Sequence, residues 1–96
     1  MDKIWLKCYP EGVHEDIGEL PFRNLAAMFR ESVRKWPEKT AFENYGTKLS
    51  FRRLDELSDD FCSYLQHDLK MEKGERLAIV MPNILQFPVA MLGAIK

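Results

Sequence analysis

RLAIVMPNILQFPVAMLGAIK, residues 76–96, changes its apolar pattern once, at Pro82 and Asn83. Before that break, RLAIVM is a nearly continuous apolar run, the pattern of a strand buried on both faces in a parallel sheet. After it, Gln86 is the one clearly polar residue between Ile84 and Ile95. Pro88 suits the start of a helix, or a kink near its beginning, so the pattern predicts a helix over 84–95. At roughly 20 residues per bilayer crossing, that helix is too short to span a membrane. A helix apolar on all sides needs cover on all sides, and a buried strand needs neighbours for its backbone groups. The run stops at Lys96 without supplying either. The expectation is therefore a piece of a longer polypeptide, and the alternative is a complete small domain that dimerises through this surface.

Working back from residue 76, MEKGE (71–75) reads as a loop turning at Gly74. Ahead of it lies the clearest helical signal in the chain: Leu54, Leu57, Phe61, Leu65 and Leu69 recur at three- and four-residue spacing, with Tyr64 beside them and Ser50 as the cap. Arg52 and Arg53 occupy a first turn where the helix dipole favours acids, and Asp55 and Glu56 answer them one turn later. TAFENY (40–45) and KLSF (48–51) are β-favouring runs around Gly46 and Thr47, spaced for a tight hairpin, with Asn44 and Tyr45 able to shift the register by one. A further helix is predicted from the cap at Asn24 through Leu25, Met28, Phe29, Val33 and Trp36, stopped by Pro37. Its other face, with Arg30, Glu31, Arg34 and Lys35, reads as an ordinary solvated surface. Residues 1–23 lack periodicity but hold Ile4, Trp5, Leu6 and Tyr9, and read as an extended arm that packs onto something.

The fold class that results is α/β: arm, helix, hairpin, helix, buried strand and apolar helix, in one partial domain with the arm at 1–23 and the remainder at 24–96. With 96 residues there is room for no second domain. A 46% hydrophobic content, including 11% aromatic residues, is enough for a core, and 30% charged residues provide a wet surface. Fourteen basic against fifteen acidic side chains give a net charge of −1, which provides no field for collecting nucleic acid or anionic lipid. Charges scattered through residues 1–19 leave no apolar core for a signal peptide.

The sequence offers no catalytic, cofactor-binding or metal-binding residue. Gly12, Gly18, Gly46, Gly74 and Gly93 are isolated, so neither GxGxxG nor GxxxxGK[ST] is formed. His14 lies beside Glu15 and Asp16, and His67 beside Asp68, without a nucleophile or second ligand at a defined spacing. Asp59 and Asp60, like Asp55 and Glu56 before them, are adjacent helical positions about 100° apart, which is the pattern of a solvated face rather than a metal site. Met71, Met81 and Met91 read as core fillers. Cys8 and Cys62 have no CxxC or Cys/His spacing and read as reduced thiols of a cytosolic protein, with a disulfide as the alternative.

Three linked runs carry a resemblance: LSFRRLDELSDDFCSYL (49–65), KGERLAIVMPN (73–83) and ILQFPVAMLGAIK (84–96). In order and spacing they are similar to the opening of the adenylate-forming superfamily, which includes acyl-CoA synthetases, luciferases and peptide-synthetase adenylation domains. KIWLKCYPEGV (3–13) and MPNILQFPVA (81–90) resemble bacterial long-chain fatty-acid-CoA ligases most closely. Arg53 stands where the family usually has an acid, and Glu75 where it has Asp. The resemblance implies the start of the large N-terminal domain of an AMP-forming ligase. That parent would use ATP, Mg and CoA to make an acyl-adenylate and then an acyl-CoA. It also implies that the phosphate loop, the aromatic-Thr-Glu motif, the ribose-binding acid and the C-terminal lysine lie downstream of the matched region, so the chain alone is expected to be inactive. The implied partner is the rest of the parent chain, with self-association through the face of Val89, Leu92 and Ile95 as a further expectation. The implied location is the cytoplasm, peripheral at the inner membrane surface as an option for the parent.

Overall fold

A computed structural model describes all of residues 1–96. Its elements run α1 (Leu25–Lys35), β1 (Thr40–Asn44), β2 (Thr47–Ser50), α2 (Phe51–Ser63) and α3 (Gln86–Ile95), with a short 3₁₀ turn at Ile4–Cys8 and a widened π-type turn at Tyr64–Asp68 continuing α2. The result is mixed α/β, with one two-stranded antiparallel sheet.

Each predicted cap forms. The Asn24 side chain accepts the Ala27 N–H at 2.8 Å, and the Ser50 hydroxyl accepts the Arg53 N–H at 3.1 Å. Asn24→Ala is expected to lower stability by about 1 kcal/mol, because the Ala27 N–H would lose its acceptor. A thermal melt unchanged by the substitution would contradict that role.

The hairpin takes the shifted register. Asn44 faces Thr47, leaving Tyr45 and Gly46 as the two loop residues. Both have positive φ, 49° and 79°, which is the backbone demand of a type I′ turn matched to strand twist. A bulge between Thr40 and Phe42 bends the far end. The loop before β1 then completes the start of α2: the Phe51 and Arg52 N–H groups donate to the carbonyls of Lys39 and Pro37 at 3.0 and 2.9 Å. Two of the orphan donors in the first turn of α2 are thus met by backbone carbonyls. Glu38 pairs with Arg52 at 2.6 Å and Glu56 with Arg53 at 3.0 Å, so the cations of the first turn are answered locally.

At the other end, α2 passes into the π-type turn, where the Leu69 N–H donates to the Tyr64 carbonyl and the Met71 N–H to the Leu65 carbonyl. Lys70 closes it with φ of 52°, a left-handed position usually given to glycine. Leu69, the last predicted member of the apolar stripe, lies beyond this widening and is exposed.

The core is small. Phe29 of α1, Leu49 of β2, Leu54 of α2 and Leu92 of α3 form its centre, with Val33, Ala41, Phe51, Leu57, Leu85 and Val89 packed around them. Only 9 of 96 residues are buried, and the radius of gyration is 17.6 Å where a compact chain of this length would have about 12.5 Å. Much of the apolar surface that the sequence would bury is therefore open.

Three expectations are corrected. Residues 76–81 form no strand: the segment is irregular, its backbone makes no hydrogen bond within the chain, and Val80 is 92% exposed. A lone apolar run with no strand beside it has nothing to pair with, and the ladder cannot form. The arm is not simply extended, since Ile4–Cys8 makes a 3₁₀ turn and a Lys3–Glu15 ion pair folds the arm back on itself. Nor does it pack on the rest, because Ile4, Trp5, Tyr9, Val13, Ile17 and Leu20 remain exposed. Finally, Val89 and Leu92 are not an uncovered face. They meet the core, and the open side of α3 carries Met91, Ala94 and Ile95.

Candidate functional site

The densest polar constellation lies where α2 meets the end of α3. Asp55, Ser58 and Asp59 stand three and four residues apart on one face of α2, and Lys96 reaches them from just beyond α3. Its ammonium donates to Asp55 Oδ1 at 2.8 Å, Asp59 Oδ1 at 2.6 Å and Ser58 Oγ at 2.8 Å, with the Asp55 carbonyl at 3.3 Å. Ser58, fully buried, donates its own hydroxyl to the Asp55 carbonyl at 2.9 Å. The Phe29 ring centroid lies 5.5 Å from the same ammonium, bringing α1 into the contact.

Reading Asp55 and Asp59 as a solvated face is thus corrected. Adjacent acids do diverge, and Asp60 points away into solvent, but the i,i+4 pair converges on a cation supplied by another element. The signal available in the sequence was this spacing together with Ser58. It named the face without naming Lys96, which lies 37 residues further along.

The arrangement suits a clamp rather than a catalyst. The lysine side chain is 5% exposed and saturated by acceptors, while Asp55 and Asp59 are 31% and 63% exposed and keep part of their hydration. Replacing Lys96 with methionine keeps the apolar stem over Phe29 and removes the charge. The expected loss is about 1 kcal/mol, held down by the solvent screening of both acids. High salt should weaken the parent chain more than the variant, and urea midpoints with equal salt response would contradict the clamp.

Other candidate residues are separated. His14 and His67 are exposed, and neither takes part in an ion pair. Cys8 and Cys62 are free thiols. On α1, Glu31 takes hydrogen bonds from Arg34 at 2.6 and 3.0 Å, which hold its carboxyl below the ordinary range and raise the arginine in turn. Lys35 adds a longer contact at 3.6 Å.

The residues present do not fit ATP, magnesium or CoA. No group of three His, Cys, Asp or Glu side chains could hold a metal ion. The N-termini of α1 and α2 are closed by their own caps, and the glycines of positive φ sit singly in separate turns rather than forming a cradle. An open cleft of about 790 Å³ lies between the start of α1, the π-type turn, the 71–75 loop and the end of α3. Arg30, Gln66, Lys73 and Lys96 are among its lining residues, and no buried polar side-chain atom there lacks a partner. No helix is long and apolar enough to cross a membrane.

Comparison with known proteins adds what the geometry does not hold. The family model described as AMP-binding enzyme matches residues 29–96, which takes in α1 from Phe29, the hairpin, α2 and α3. The chain belongs to the AMP-binding enzyme family. Over all 96 residues, the chain is 38% identical to the long-chain-fatty-acid–CoA ligase of Haemophilus influenzae, 42% identical to that of Escherichia coli O6:H1 and 40% identical to that of Yersinia pestis. In each case the match covers 100% of this chain and 17% of the relative, so the chain spans about one sixth of the length of these relatives. No solved structure matches it.

Proposed function

We propose that these 96 residues are scaffold: the amino-terminal part of an AMP-forming ligase that activates a long-chain fatty acid with ATP to the acyl-adenylate and transfers the acyl group to CoA. The observation that carries this reading is the unbroken match to ligases of that name across every residue of the chain, arm included, at 38–42% identity. That the match takes in 17% of each of these relatives supports assigning the chemistry to the remainder of the ligase. So does the uncovered run at 76–81, whose backbone donors and acceptors would be satisfied by strands from that remainder. On this reading the partner of the chain is the rest of the enzyme, and its location is cytoplasmic.

The test is carboxylate-dependent exchange between ATP and pyrophosphate, run on the whole gene product and on residues 1–96 separately. The gene product is expected to catalyse exchange with a long-chain fatty acid, and the 96-residue chain to show none above background. Exchange by the short chain would overturn the scaffold assignment. Exchange with aryl or amino acids only would overturn the fatty-acid assignment, and a gene product inert with every acyl substrate would remove the ligase reading.

A further inference from the structure

We draw no further inference here: the strongest candidate, the open cleft between the start of α1, the π-type turn after α2, the 71–75 loop and the end of α3, has no buried polar group left unpartnered and aimed into it, and nothing in the structure shows what covers it.

Discussion

Leu54→Ala is expected to destabilise the fold by about 2–5 kcal/mol, the range for removing a large aliphatic side chain from a closed core. Leu54 is the one hydrophobic residue with no exposed surface, and it stands among Phe29, Leu49 and Leu92, one from each of the three other elements of the core. Truncation removes the atoms that α1, β2 and α3 share. The hole left behind is bounded by two helices and a short hairpin. Collapse around it would have to draw these elements inward together. Because the core is so small, a loss at the upper end approaches the whole stability of a domain in the usual range of about 5–15 kcal/mol. Far-UV circular dichroism against urea reads the effect directly. A midpoint close to that of the parent chain would mean that this cluster does not organise the fold.

Leu54 was legible from the sequence, and the reasons it was legible explain what was not. Its position in a stripe repeating every three or four residues, behind a serine cap, is local information, and local physics decided it. The same holds for the α1 cap at Asn24, the hairpin around Gly46, and the helix that carries Pro88. Proline is accepted there because it is the third residue of α3, where its missing N–H would have had no partner within the helix. The run at 76–81 fails for the opposite reason. Its side chains are those of a buried strand, but a strand is a property of at least two segments, and none pairs with it here. The Lys96 clamp was hidden in a different way: its acids could be placed on one face from their spacing, but the cation arrives through the packing of α3. The turn ending α2 was also unreadable, because its widening leaves Leu69 off a stripe that periodicity alone would extend to it.

The contact that joins α2 to α3 makes the second large prediction, and it turns on a residue with no side chain. A Cβ placed on Gly93 would lie 2.8 Å from Phe61 Cδ1, 2.9 Å from the Ser58 carbonyl oxygen and 3.1 Å from Phe61 Cβ. Two effects oppose each other in Gly93→Ala. Helix propensity favours alanine by about 1 kcal/mol, whereas forcing atoms into a filled contact costs about 1–3 kcal/mol. The phenylalanine ring can rotate away, but the Ser58 oxygen is part of the α2 backbone and can retreat only if the helices separate. The clash should therefore win, giving a net loss for alanine and about 3 kcal/mol for Gly93→Val, whose branched side chain adds bulk at the same point. Separation would also draw Lys96 away from Asp55, Ser58 and Asp59, so the salt dependence contributed by the clamp should fall in both variants. Pairing Gly93→Ala with Phe61→Ala distinguishes the two obstacles. If the ring alone were limiting, the double variant would regain the propensity gain; with the carbonyl limiting, it stays below Phe61→Ala by itself. A Gly93→Ala chain more stable than its parent would show that α2 and α3 are not held at the distance seen here.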